Sequence, residues 1–158
     1  MKNNLGKILI IDDEERMCQS LVTILSDLGY QAKAATQPTQ ILKEIQQDDF
    51  DVILSDIRMP KLDGFEVLRL AKKKDKDLPV IFMTAYTSLE SALVAINLGA
   101  YDYLTKPIDL EDFKLTIQRA LEKRQLDKSK NILLAELKSK NSDLKRKIAE
   151  LNALYQTG

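Results

Sequence analysis

Residues Asp51-Val52-Ile53-Leu54-Ser55-Asp56 decide the fold of this chain. The segment is short, continuously apolar through its middle and β-branched at its start. It therefore reads as a strand buried on both faces, the habit of a parallel sheet. At its carboxyl end stands a lone carboxylate, Asp56. Three further runs have the same form. Lys7-Ile8-Leu9-Ile10-Ile11 leads into Asp12-Asp13, Pro79-Val80-Ile81-Phe82-Met83 into Thr84, and Tyr101-Asp102-Tyr103-Leu104-Thr105 into Lys106-Pro107. Parallel α/β sheets bind ligands beyond the carboxyl ends of their strands. The spacing therefore predicts three carboxylates, a hydroxyl and an ammonium gathered at one sheet edge.

Helical patterns separate the runs. Met17, Leu21, Leu25 and Leu28 recur at helical spacing and meet a stop at Gly29; a weak strand, Gln31 to Ala35, follows. Ile41, Leu42 and Ile45 mark a helix entered through Pro38, and Phe65, Leu68 and Ala71 one that runs from Gly64 to Lys72-Lys73-Lys74. Leu89, Ala92, Leu93 and Ile96 give a helix ending at Gly99, and Asp109 caps one carrying Phe113, Ile117 and Leu121. Five βα units predict an α/β fold: a doubly wound, five-stranded parallel sheet of order 2-1-3-4-5, flavodoxin-like, over residues 1–124.

Residues 125–158 contain no Pro, and their only Gly is the last residue, so they read as a helical extension and a short coiled coil. With Leu137, Leu144 and Leu151 at d, the a positions are Leu134, Asn141, Ile148 and Tyr155. The frame covers about three heptads and shifts between Leu126 and Leu133. A parallel homodimer is the expectation, with Asn141 fixing register; Lys140 at g facing Lys145 at e works against it.

Bulk composition excludes several classes. Lys+Arg and Asp+Glu are equal at 24 each, so no overall charge points to nucleic acid or a membrane surface. The longest apolar runs are too short for a bilayer, and one cysteine, Cys18, forms no internal disulfide, as expected of a cytoplasmic protein. Histidine is absent, which removes His-based general base catalysis, His zinc ligands and an internal phosphohistidine.

An aspartate can attack phosphorus to form an acyl phosphate, and Asp56 is the candidate. Crowding it with Asp12 and Asp13 is costly unless a cation neutralises them. Mg²⁺, with Mn²⁺ as a substitute, suits an all-oxygen set that the backbone carbonyl of Arg58 would extend. Lys106 would act as a point charge on phosphoryl oxygens, aimed inward if Lys106–Pro107 is cis, and Thr84 offers a hydroxyl. Taken singly, Asp12-Asp13 reads as a helix cap, Asp56 as a turn former, Thr84 as a β-former and Lys106-Pro107 as a loop. Their joint placement at four strand ends favours a site.

These residues resemble the receiver domains of two-component response regulators, over roughly residues 5–124. The resemblance rests on Ile10-Ile-Asp-Asp-Glu-Glu, Asp51-Val-Ile-Leu-Ser-Asp-Ile-Arg-Met-Pro-Lys-Leu-Asp-Gly, Val80-Ile-Phe-Met-Thr-Ala and Gly99-Ala-Tyr-Asp-Tyr-Leu-Thr-Lys-Pro. With Thr84-Ala-Tyr-Thr, the last run looks most like receivers that precede ATPase or signalling domains. The resemblance implies that Asp56 accepts a phosphoryl group from a histidine kinase or phosphotransfer protein. It also implies that Thr84 and Tyr103 switch in response, and that the face of the fourth helix, fifth strand and fifth helix carries output or dimerisation. No effector domain is encoded, and Gln156-Thr-Gly ends abruptly, as in a fragment of a longer protein. Two other classes compete with this reading: a phosphorylation-independent interaction module, against which the intact acid set argues, and a turnover phosphatase. The phosphatase would need an acid two residues after the nucleophile, where Arg58 stands.

Overall fold

In a computed structural model, which describes residues 5–85 and 89–156, β1 (Lys7–Ile11), β2 (Gln31–Ala35), β3 (Val52–Asp56), β4 (Val80–Thr84) and β5 (Asp102–Thr105) form one parallel sheet. Its order is β2-β1-β3-β4-β5. The helices are α1 (Glu15–Asp27), α2 (Pro38–Gln47), α3 (Gly64–Lys74), α4 (Leu89–Asn97) and α5 (Leu110–Gln156). The alternate-side layout expected from the sequence is the one observed. Tyr86 and Thr87 of the quoted motif, and Thr157 and Gly158, lie outside the described residues.

The period-two geometry of a strand sorts the apolar residues into two layers. Leu9, Ile11, Ile53 and Phe82 join one buried cluster with Ile41, Val67 and Leu68 of α2 and α3. Ile8, Ile10, Leu54 and Met83 join the other with Cys18, Leu21 and Leu25 of α1 and Phe113 and Ile117 of α5. Burial of β1, β3 and β4 on both faces leaves no polar alternation along them, which is why their runs read as continuous.

Local signals set the helix ends. Gly29, with φ of 97°, terminates α1 while the Tyr30 amide donates to Leu25 O at 3.0 Å, satisfying a carbonyl of the last turn. Asp63 caps α3 by accepting from the Phe65 amide at 2.9 Å, and Asp109 Oδ1 accepts from Asp112 N at 3.0 Å at the start of α5.

Two helices differ from the sequence reading. In α1 the buried positions are Cys18, Leu21 and Leu25, while Met17 is half-buried, because the buried stripe begins one residue later. In α4 Leu93 and Ile96 are 53% and 43% exposed, and the buried described side chains are Ala92 and Ala95. The middle of α4, Ala92 to Ile96, is a continuous apolar run with no stripe by which its inward face can be recognised.

The chain divides into two compact units between Arg124 and Gln125. In the first, the buried Arg124 places Nη2 2.6 Å from Asp75 Oδ2 and Nε 4.0 Å from Asp51 Oδ1. The second is helical to Gln156, and its Leu134, Leu137, Leu144, Ile148, Leu151 and Tyr155 are all exposed, as is Asn141. Among the described residues no helix is long and apolar enough to cross a membrane.

Candidate functional site

Strands β1 and β3 are neighbours, with Ile11 registered against Ser55, so the residues that follow them emerge side by side. Asp12 is buried at 1% exposure, Asp56 is partly buried and Asp13 faces solvent. One carboxylate oxygen from each of the three lies within 4.8 Å of the others. Lys106, carried by the turn after β5, reaches across to donate to Asp12 Oδ2 at 2.8 Å and Asp56 Oδ2 at 3.0 Å. The Lys106–Pro107 peptide is cis.

Asp12 and Asp56 divide their carboxylate oxygens in the same way. Asp12 Oδ1 accepts from the Glu14 amide at 3.1 Å, and Asp56 Oδ1 from the Arg58 amide at 3.2 Å. Each aspartate thus braces its own loop with one oxygen and holds the lysine with the other. Asp12 accepts from Glu14, the residue that precedes α1, so it braces the loop into that helix without capping its first turn. Arg58 contributes its amide to this turn, which places its carbonyl in the same loop.

Three carboxylates facing one ammonium leave an excess of negative charge. Although Asp13 faces solvent, the little burial its carboxyl has among its neighbours, its hydrogen bond with Asp12 and the charges of Asp12 and Asp56 push it above its ordinary value. For Lys106, burial would lower the ammonium, but the hydrogen bonds and charges of Asp12 and Asp56 outweigh it and hold it above its ordinary value. An all-oxygen set with surplus negative charge suits a small, hard dication, and these residues fit one.

Thr84 ends β4, buried and registered against Thr105, and its carbonyl accepts from the Lys106 amide at 2.8 Å. It therefore sits directly beside the turn that carries the lysine. Tyr103 lies farther from the carboxylates, on β5 opposite Phe82, half-buried against the core on the α4 side. The tail positions from Leu134 to Tyr155 belong to the second compact unit.

Gly64 has a role that the sequence reading did not give it. A Cβ there would lie 2.5 Å from Asp56 O and 2.8 Å from Ile57 Cα, while its amide donates to Ile57 O at 2.9 Å. The start of α3 therefore packs directly against the peptide that holds Asp56. The Asp63-Gly64 pair following Pro60 was the available signal. Cys18 was also missed: its thiol lies 3.5 Å from Asp12 O, supporting the β1 end from below.

A family model described as the response regulator receiver domain matches residues 8–118. The chain belongs to the response regulator receiver family. Among curated relatives, the receiver is 38% identical over 114 residues to the transcriptional regulatory protein ZraR of Escherichia coli, covering 72% of this chain and 26% of that protein. It is 37% identical over 124 residues to the E. coli regulatory protein AtoC, covering 78% and 27%. A putative NtrX-like response regulator of Rickettsia bellii matches at 32% over 149 residues, covering 93% and 29%. The chain thus spans less than a third of the length of these relatives. Among solved structures, a CheY-like receiver from Methanospirillum hungatei superposes with a TM-score of 0.73 at 31% identity, covering 78% of this chain and 99% of that one. NtrX from Brucella abortus gives 0.74 at 31%, covering 79% and 29%. Control of an output by phosphorylation is the general function of receivers, and a histidine kinase is the partner that such a domain implies.

Proposed function

We propose that Asp56 is the phosphoacceptor of this receiver and that its phosphorylation controls assembly and output. The observation that carries the reading is Lys106, whose ammonium is held between Asp12 and Asp56. An Asp56 oxygen attacks the phosphorus of a phosphohistidine on a kinase or phosphotransfer protein. The P–N bond breaks, its electron pair returns to the imidazole, and an acyl phosphate remains on Asp56. Lys106 then has phosphoryl oxygens as new acceptors in place of a carboxylate oxygen. Asp12, Asp13, Asp56 and the Arg58 carbonyl would hold Mg²⁺, or Mn²⁺ in its place. When bound, the ion supplies charge neutralisation between the carboxylates and an incoming phosphate.

The buried Thr84 hydroxyl is the donor we assign to the phosphoryl group. Its movement toward the site would open space behind β4 for the Tyr103 ring. The α4–β5–α5 face, with Tyr103 at its centre, is then the surface on which two copies meet or an output domain is read. The chain performs this transfer on itself and turns over no external substrate, a reading consistent with a cytoplasmic signalling protein.

The test is labelling with acetyl phosphate and Mg²⁺, read by intact mass. The expected result is one added phosphoryl group in the native chain and none in Asp56→Asn. Undiminished Mg²⁺-dependent labelling of that variant would move the acceptor elsewhere. Unchanged assembly in the presence of a beryllofluoride mimic would favour a phosphorylation-independent module.

A further inference from the structure

The helix beyond Gln125 exposes an apolar seam, and the charges beside that seam are all of one sign. With Leu137, Leu144 and Leu151 at d, the flanking e and g positions of the central heptads are Lys138, Lys140, Lys145 and Lys147. The acidic residues of the same stretch, Glu136, Asp143 and Glu150, recur every seventh residue at c, on the outer side. Asp143 turns to its own helix there, with Arg146 Nη2 3.2 Å from its Oδ1. In a parallel pair of identical helices, g meets the following e of the partner, so Lys140 faces Lys145 and Lys147 faces Asn152. In an antiparallel pair e meets e and g meets g, so lysine faces lysine again. Neither arrangement brings the c-position acids to the seam.

We propose that this segment pairs with a helix of a different polypeptide, one whose own a and d seam is flanked by glutamate or aspartate. A polar side chain at a opposite Asn141 would fix the register. Opposite charges at e and g set partner choice, and like charges act against self-pairing. An anionic membrane is the other surface that basic flanks attract. Through the central heptads, from Leu134 to Leu151, the stripe is narrow, two positions in seven with Asn141 inside it; Leu133 and Leu154 widen it only at the ends, and Tyr155 is the only aromatic residue after Gln125. That width fits a helix seam and is poor for an interfacial helix, which presents a broad apolar face. The proposal is independent of the chemistry at Asp56.

The experiment titrates the full chain into two fluorescein-labelled heptad peptides with identical Leu and Ile seams and Asn opposite Asn141. One has Glu at every e and g position, the other Lys. The Glu peptide should bind about tenfold tighter, the sum of several pairs each worth a few tenths of a kcal/mol, and the gap should narrow as salt is raised. Changing Lys138, Lys140, Lys145 and Lys147 together to Glu should reverse the preference, which also establishes that the altered tail still pairs. Equal affinity for the two peptides would overturn the proposal. So would a stable dimer of the unmixed chain by sedimentation equilibrium that excludes the Glu peptide, because the occupant is then a second copy. Co-flotation with phosphatidylserine vesicles without peptide binding would overturn it in favour of a membrane.

Discussion

Gly64→Ala tests whether the backbone around Asp56 is held by close packing. The added Cβ would meet three backbone atoms, Asp56 O at 2.5 Å, Ile57 Cα at 2.8 Å and Ile57 O at 3.1 Å. Unstrained contacts of this kind need about 3.5 Å, so the start of α3 and the β3 loop must separate by about 1 Å. No flexible side chain is available to absorb the shift. Overpacking of this sort costs about 1–3 kcal/mol, offset by about 0.5–1 kcal/mol because Ala orders more cheaply than Gly. With three backbone atoms in the way the cost lies in the upper part of that range, about 2–3 kcal/mol, so the net loss should be about 1–2.5 kcal/mol, lowering a urea midpoint by roughly 1 M. The second consequence is specific to the site. The displaced peptide is that of Asp56, and a displacement of about 1 Å in a reacting group can cost about a hundredfold in rate. Labelling by acetyl phosphate should therefore slow far more than the loss of folded protein explains. An unchanged midpoint would refute the packing argument. A lowered midpoint with an unchanged labelling rate would show that the strain is taken up by α3 and never reaches Asp56.

Other perturbations follow from the charges. Asp13 has its carboxyl pushed up in the folded state, so the native chain is favoured by the proton and loses that advantage as pH rises through the folded value. At neutral pH and in EDTA, Asp13→Asn should melt higher than the native chain, and Mg²⁺ should raise its melting temperature less; a lower melting temperature in EDTA would contradict the crowding. Lys106 is held above its ordinary value of 10.5, so its stabilising contribution is complete below that pH and fades as pH climbs through the folded value. The native chain should lose more of its urea midpoint between about pH 9 and about pH 11.5 than Lys106→Met does, and equal losses would refute the pairing. Burial pushes the Cys18 thiol up to about 11. It should stay unreactive toward Ellman's reagent at about pH 8 until the chain is unfolded by denaturant, and prompt reaction of the native chain would be inconsistent with the α1 packing.

Much of the architecture was legible because parallel strands buried on both faces leave continuous apolar runs, and each such run here stops at a polar residue. Asp12, Asp56, Thr84 and Lys106 could be placed at strand ends for that reason alone. What the sequence could not reveal depends on separations that only the fold closes. Asp12 and Lys106 are 94 residues apart, and nothing local to either implies that one ammonium serves two carboxylates. Gly64 reads as a helix start, since its close approach to Asp56 is a tertiary fact. Cys18 was passed over for Met17 because a stripe displaced by one residue leaves nearly the same apolar spacing. The inward face of α4 is hidden for the opposite reason: Ala92 to Ile96 is continuously apolar and offers no contrast between faces.

That same helix has a mechanical consequence. Its described buried anchors are Ala92 and Ala95, whereas α5 inserts Phe113, Ile117 and Leu121 into the core. A methyl group removed from water is worth about 0.8 kcal/mol, against about 1.5–3 kcal/mol for a large apolar side chain. Interlocking is correspondingly shallow, so α4 can slide or roll against the sheet without pulling bulky side chains from their holes. Among the described parts of this receiver it is the element with the softest seat. Any such displacement would carry with it Leu93, Val94 and Ile96, which the helix displays to solvent.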